Sequence, residues 1–343
     1  MIAIYLCPMT HSPVLQFTDR GPYCPAGDFY IDPWRPVDRA VITHAHADHA
    51  RPGHARYLAT HDAGPVLRHR LGDIILDTAG YGEVRQIGGA RVSFHPAGHV
   101  PGSAQVRVEV AGQVWVVSGD YKTEADGLCP PFVPVPCHSF VTECTFGLPA
   151  FRWQPQSQVA EQINAWWAGN AAAGRHSLLG VYSLGKAQRI LSLLDPATGP
   201  ILTHAAVENT TMVLRDQGLH LPATQLVEKN SAPPLGAIVL MPPAAIGSTW
   251  AKRFGRAATA SASGWMRLRG MRRRRGVDQG FIISDHADWD GLNRAIDATG
   301  AENIYTTHGY TDIFTRWLAD QGFNAQQVPT ELGQSEISEE SGD

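Results

Sequence analysis

The sequence predicts an α/β protein in which one strand-rich domain is interrupted by a second unit. Three observations carry that prediction. Over residues 14 to 145 the signals are mostly strands, and several of them stop at a His, Asp or Glu. After "GLPAFRWQPQ" (147–156), where Gly and two Pro break the pattern, strands alternate with helical runs. Beyond the arginine-rich stretch near residue 270, two strand-then-helix units end their strands at His286 and His308. The earlier pattern thus resumes after a gap of some 120 residues, which an insertion explains better than two domains in series.

Taken in order, "PVLQFTD" is the first convincing strand, "DFYID" leads into "RAVIT", and "ARVSFHPAGH" follows. "AQVRVEV" and "QVWVVSGDYK" flank a tight "AGQ" turn and read as a hairpin, and "HSFVTECTFG" is a further short apolar strand. Their ends put His44, His99, Asp120 and Glu143 where a sheet presents side chains to a rim. In the second unit "SQVAEQINAWWAG" is helical, "SLLGVYSLGKAQRILSLL" is strand, turn and helix, and "GPILTH" and "LGAIVLMPP" are strands. That alternation predicts a parallel sheet. The expected boundaries are 1–150 for the first part of the interrupted domain, 151–268 for the insert and 269–332 for the second part. Residues 333–343 are acidic, offer no core and are expected to be disordered.

At 343 residues the chain suggests about two domains and can bury a sizeable core. No apolar run approaches the roughly 18 residues that cross a bilayer, and the N-terminus lacks the basic start of a signal peptide. Five cysteines with no CxxC pair indicate neither a disulfide framework nor a cysteine zinc site, so a cytoplasmic location is expected. The net charge of −4 hides a segregation. Trp250 to Gly276 holds nine cations and no acid, leaving 19 cations against 32 acids elsewhere. Charge arranged this way speaks about partners rather than fold.

In "AVITHAHADHA" (40–50) a buried-strand signature runs straight into His44, His46, Asp48 and His49. Imidazole and carboxylate are ligands for Zn²⁺ and related divalent ions. The spacing cannot sit on one helical face, but it suits a loop curling at a strand end and converging on two adjacent points. Four donors are too few for two metals. The others must come from further strand ends, with His99, Asp120 and His308 as candidates and Asp120 suited to bridge. Other histidines, such as His54, His61 and His176, read as ordinary capping or surface residues.

"THAHADH", with "PAGH" and "SGD" downstream, resembles the metallo-β-lactamase superfamily. "ECTFG", "YSLGKAQRIL", "SDHAD" and "THGY" resemble its nucleic-acid-processing β-CASP branch, and "GDFYIDPWRPVDRAVITHAHADHAR" is similar to the bacterial ligase-associated DNA exonucleases. The resemblance runs from about Leu15 to residue 330. It implies an αββα sandwich with an inserted α/β β-CASP domain. It also implies two divalent ions, Zn or Mn/Fe, one held by His44, His46 and His99 with Asp120 and the other by Asp48, His49 and His308 with Asp120. Asp48 and Asp120 would join the catalysis. By the same resemblance Asp32 orients the ligand loop, Glu143 bonds the His of "SDHAD", and His286 protonates the leaving oxygen. The alternatives are a turn-forming Asp32 before Pro33 and a His286 that belongs to the cap region of the helix beginning near Asp288.

Phosphate contacts call for cations and backbone amides. "YSLGKAQR" places Ser183 and Lys186 at a strand-to-helix turn, although the lone SxGK is no P-loop. "WMRLRGMRRRRG" supplies Arg267, Arg269, Arg272, Arg273, Arg274 and Arg275, which read either as a solvated loop or as a nucleic-acid grip. Trp250 and Trp265 are candidates for base stacking as well as for burial. The expected function is a two-metal DNA phosphodiesterase, a 5′-to-3′ exonuclease on single-stranded DNA in repair or end processing. The resemblance implies association with a DNA ligase or helicase and no membrane partner. An RNA nuclease of the ribonuclease J or messenger-RNA 3′-end type is the alternative, favoured by His308 in the last motif and disfavoured by the short C-terminal remainder. A small-molecule metallo-hydrolase would share the HxHxDH core but lack the insert and the arginines. A non-catalytic scaffold would not keep the ligands.

Overall fold

The computed structural model describes residues 13–228, 232–328 and 330. The stretch 333–343, expected to be disordered, lies outside them. Three sheets organise the described residues. The first runs β1 (Gln16–Thr18), β2 (Gly21–Cys24), β3 (Phe29–Ile31), β4 (Arg39–Val41), β5 (Arg56–Thr60) and β6 (Leu76–Ala79) in sequential order, with α1 (Gly64–Leu71) crossing between β5 and β6. The second begins with β7 (Arg85–Ile87), β8 (Ala90–Pro96), β9 (Ala104–Val110), β10 (Gln113–Val117) and β11 (Ser139–Cys144). The β9–β10 hairpin forms as the sequence predicts, pairing Val110 with Gln113.

The chain then leaves this sheet. Helix α2 (Gln156–Ala172) leads into β12 (Ser177–Gly180), α3 (Lys186–Leu193), β13 (Ile201–Thr203), α4 (Ala205–Asp216), β14 (Gln225–Leu226), β15 (Ile238–Met241) and β16 (Ala258–Ala262). Helix α5 (Arg269–Arg275) and β17 (Gln279–Phe281) follow. The third sheet, in order β14-β13-β15-β12-β16-β17, is parallel at every pairing. Its last strand lies beyond residue 268, so the sheet of the second unit reaches Phe281. Helix α6 (Trp289–Thr299), β18 (Asn303–Gly309), α7 (Thr311–Asp320) and β19 (Asn324–Gln327) complete the second sheet, where β18 pairs in parallel with β11.

Burial follows the two-residue period of the strands. In β11, Val141 faces the first sheet, in a core with Ile31, Val41, Phe94 and Val106, while Phe140 faces the helices, with Leu292, Ile296 and Phe314. Sheet therefore packs on sheet, α6 and α7 cover the outer face of the second, and α1 covers the first together with Leu214 of α4. A separate core joins α2, α3 and α4 to the third sheet through Ile163, Trp167, Ile190, Val207 and Leu240. The arginine run is neither loop nor strand. Arginine is a good helix former, Met271 packs with Phe146 and Trp265, and Gly276 at φ 61° ends the helix in a left-handed cap.

The consequence for function is positional. His46, Asp48, His99 and Phe146 follow β4, β8 and β11, whereas Tyr182, Lys186, Ser263, Trp265 and Ser284 to His286 follow β12, β16 and β17. These residues line one cleft. It lies where the strand ends of two units meet, the usual place for a ligand beside an α/β sheet.

Candidate metal centre and cleft

The segment after β4 is irregular backbone, as the close spacing of its donors requires. It brings His44, His46, His99 and Asp120 together, so that one ligand atom from each lies within 4.8 Å of the others. Asp48, His49 and His308 form a second such group. Asp120 stands between them. Its Oδ2 is 3.4 Å from His44 Nε2 and 3.7 Å from His99 Nε2, and its Oδ1 is 3.4 Å from His49 Nε2. Gly119 makes this approach possible, because it sits at φ 56° and a Cβ there would meet the Thr43 side chain at 2.6 Å.

Hydrogen-bond partners fix which ring nitrogen points inward. His99 Nδ1 donates to the Asp285 carbonyl at 2.8 Å, and His46 Nε2 donates to the Leu184 carbonyl at 3.2 Å. His49 Nδ1 donates to Asp32 at 2.7 Å. The Thr43 hydroxyl donates to Asp32 and so accepts from His44 Nδ1 at 3.0 Å. His308 Nδ1 donates to Thr307 Oγ1 at 2.8 Å, whose own hydrogen goes to the Thr142 carbonyl. Each ring therefore turns a lone pair toward the centre. His46 Nδ1 lies 3.1 Å from both His44 Nε2 and His99 Nε2, and three acceptors that close repel unless a cation separates them.

Buried atoms without partners support the same fit. Among the described residues His49 Nε2, His308 Nε2 and Asp120 Oδ1 have no hydrogen bond, a costly state for buried polar atoms. His54 and His176 also carry such a nitrogen, yet neither belongs to a cluster of donors, and that separates a ligand from an ordinary core histidine. Burial pushes the imidazoles of His44, His46 and His99 down, and they remain below the ordinary histidine value. At His49 the carboxylates of Asp120, Asp48 and Asp32 outweigh burial and raise it well above. Three buried carboxylates around one point favour positive charge there. The donor set suits a divalent ion.

His308 reaches the centre through an irregularity. Glu143 pairs with Thr307 and Cys144 with Gly309, so His308 is the extra residue of a β-bulge, held at φ 52°. A bulge of this kind re-aims a side chain at a functional rim. Asp32 is likewise left-handed, at φ 43°, and accepts from Thr43 N, the Thr43 hydroxyl and His49. It is more than a turn before Pro33.

Next to the first group, His286 Nδ1 meets both oxygens of Glu143 at 2.9 Å. Glu143 is itself fixed by Tyr121 N at 2.8 Å and Thr145 Oγ1 at 2.6 Å. The helix cap is Asp288, which accepts from Gly291 N, so His286 is not part of it.

The expected phosphate contacts are placed less uniformly. Lys186 lines the cleft, 3.7 Å from Asp285 and over the Tyr182 ring. Ser183 sits in the same turn, half-buried, but the Gly185 N–H there is taken by Gln188 Oε1. Arg267, Arg269, Arg273 and Arg274 are exposed and Arg275 half-buried, on or beside α5; the Arg272 side chain lies outside the described part. Trp265 lines the cleft, whereas Trp250 packs against His204 and Phe254. Thr43, Thr145, Thr307 and the carbonyls of Leu184 and Asp285 escaped the sequence reading. Only Thr43, next to the ligand run, carried a signal.

No protein-family model matches the chain. It is 29% identical over 311 residues to a protein of Opitutus terrae named probable DNA ligase, covering 90% of this chain and 30% of that one. It is 27% identical over 200 residues to the endoribonuclease YSH1 of Mycosarcoma maydis, covering 47% of this chain and 22% of that one. The chain thus spans less than a third of the length of either relative. A solved protein of unknown function from Enterococcus faecalis superposes with a TM-score of 0.59 at 11% identity, covering 86% of this chain and 80% of that one, and shares the fold. Motifs and relatives together make the chain similar to metallo-β-lactamase-type proteins of the β-CASP branch.

No helix among the described residues is long and apolar enough to cross a membrane.

Proposed function

We propose that the chain is a two-metal phosphodiesterase acting on DNA, releasing nucleotides from the 5′ end of a single strand. Its layered first and second sheets would form the αββα sandwich and residues 151–268 the core of a β-CASP insert. The observation that carries the reading is the pair of donor groups that share Asp120, with inward lone pairs, beside the His286–Glu143 pair in one cleft. Zn²⁺, Mn²⁺ or Fe²⁺ suits imidazole and carboxylate alike. Two such ions, when bound, supply hydroxide at neutral pH and neutralise charge on the phosphoryl oxygens.

The protein's own residues do the rest. Glu143 orients the His286 ring, so that proton transfer to the departing oxygen falls to Nε2, on the ring edge away from the carboxylate. A positioned acid of this kind contributes about 10²–10⁴ in rate. Asp48 lines the cleft next to His46 and His99, where the scissile phosphate would lie. Lys186 and the arginines of α5 would track the backbone, and Trp265 would meet a base. The DNA preference rests on the relative named a probable DNA ligase, which matches nearly the whole chain. Its name also supports a role next to strand joining with a ligase as functional partner, and a helicase partner rests on the resemblance alone.

An RNA-cleaving reading has its own support in the YSH1 endoribonucleases and in His308. Incubation with Mn²⁺ or Zn²⁺ and end-labelled single- and double-stranded DNA and RNA distinguishes the two. Mononucleotides from single-stranded DNA alone are expected. Internal cuts in RNA would transfer the proposal to the second reading, and no hydrolysis with any ion would end both.

A further inference from the structure

We propose that Arg189 is a positioning residue, through which the inserted unit holds the catalytic loop in place. The inference rests on the two-metal reading of the site. Arg189 lies on α3 of the third-sheet unit and is buried. Its Nη1 donates to the Ser284 carbonyl at 2.5 Å and to Asp285 Oδ1 at 3.2 Å, while its Nε donates to Gln156 Oε1 at 2.6 Å. One guanidinium thus grips two consecutive residues, by main chain and by side chain. The planar fork of arginine is suited to that task, and a lysine is not.

What those two residues do gives the grip its meaning. The Asp285 carbonyl accepts from His99 Nδ1 at 2.8 Å and so sets the ring that turns Nε2 toward the metal centre. The next residue is His286, whose backbone N–H donates to Ser284 Oγ at 3.1 Å. A displacement of Ser284–Asp285 would move a metal-facing imidazole and the proton donor together. Rings held by such outer contacts lose about 10–100-fold in metal affinity or activity when the support goes.

Stability alone does not account for the arrangement. Arg189 belongs to a buried network in which Lys186 lies 3.7 Å from Asp285 and Asp126, held by Lys122 at 2.8 Å, lies 3.9 Å from Arg189 Nε. Three cations and two carboxylates are out of water together. Such clusters recover little net energy, because desolvation cancels much of the attraction, and apolar replacements are often as stable. Geometry is what this cluster supplies that an apolar one would not.

The test uses the full chain, stripped of metal and titrated with Co²⁺, whose visible absorption reports ligand geometry. Arg189→Met, Arg189→Lys and Asp285→Asn are compared with the parent in melting temperature, Co²⁺ affinity, and kcat and KM on a single-stranded oligonucleotide. Arg189→Met is expected to bind Co²⁺ about tenfold more weakly at one site and to lose at least about tenfold in kcat. KM should stay within about twofold, and Arg189→Lys should recover only part of the loss. A folded Arg189→Met with lowered melting temperature but parental Co²⁺ spectrum and kcat would reduce the network to plain glue between units. Should Arg189→Met fail to fold, Asp285→Asn decides by the same two readouts, unchanged values overturning the proposal. If the parent binds two Co²⁺ but cleaves no phosphodiester, the nuclease reading falls while the Co²⁺ titration still judges the clamp.

Discussion

The two donor groups of the centre differ in what stands behind them. His44, His46 and His99 are backed by neutral acceptors, a hydroxyl and two main-chain carbonyls. Both carbonyls, Leu184 and Asp285, belong to turns that follow strands of the third sheet. His49 is backed by a carboxylate, Asp32, and His308 by a hydroxyl on a bulged, left-handed backbone. Two of the first group's three imidazoles, His46 and His99, are therefore oriented across the junction between units, and the second group by charge and local strain within the two packed sheets. Only Asp120 serves both. A site built this way has one shared point of failure and two independent ones.

Removing the shared point gives the largest effect. Asp120→Ala should abolish activity and lower the bound divalent content at both groups, as read by elemental analysis after dialysis. Retention of two ions would mean that the groups do not share it. Next comes His286→Ala, which should keep both ions yet lose about 10²–10⁴ in kcat. Loss of metal in that variant would turn His286 from an acid into a ligand. Asp32→Asn should act mainly on the second group, which it bonds directly through His49, and only through Thr43 on His44, weakening one of two ions by about 10–100-fold more than the other. Isothermal titration would show two unequal steps, and equal weakening of both would contradict the division drawn here.

The grip outside the centre should matter less. Joint replacement of Arg269, Arg273 and Arg274 by Ala should leave kcat alone and flatten the salt dependence of single-strand binding. The expected change is about 0.7 in the log–log slope per lost phosphate contact. An unchanged slope would make α5 a solvated face. The smallest effect concerns His54, a histidine outside both groups. Burial lowers it from 6.5 to about 4, and its Nδ1 accepts from Val37 N. Since the unfolded chain binds this proton more readily, the stabilisation is complete above pH 6.5 and is lost as pH falls toward about 4. In metal-free protein His54→Gln should shallow that acid limb of the denaturant midpoint, and an unaltered limb would assign it to the clustered imidazoles.

How much of this was legible in the sequence depended on whether the information was local. Strand ends at His44, His99, Asp120, Glu143 and His308 were readable, because a two-residue apolar period that stops at a polar side chain marks a rim. The third sheet's parallel order followed from alternation. Main-chain acceptors were not readable at all, since a carbonyl carries no residue identity and Leu184 looks like any buried leucine. The bulge at His308 was hidden for a related reason: register is a property of two strands, and β11 lies some 160 residues before its partner β18. Arg269–Arg275 was legible in part: its charge pointed to solvent, where Arg269, Arg273 and Arg274 stand, while the helical shape came from the helix propensity of arginine and the anchor Met271.

The placement of β18 between β11 and β19 has a consequence during synthesis. Until residues near 309 have left the ribosome, the second sheet lacks an interior strand and the centre lacks His308. A growing chain can therefore fold its first sheet early while its centre still lacks one of the seven donors.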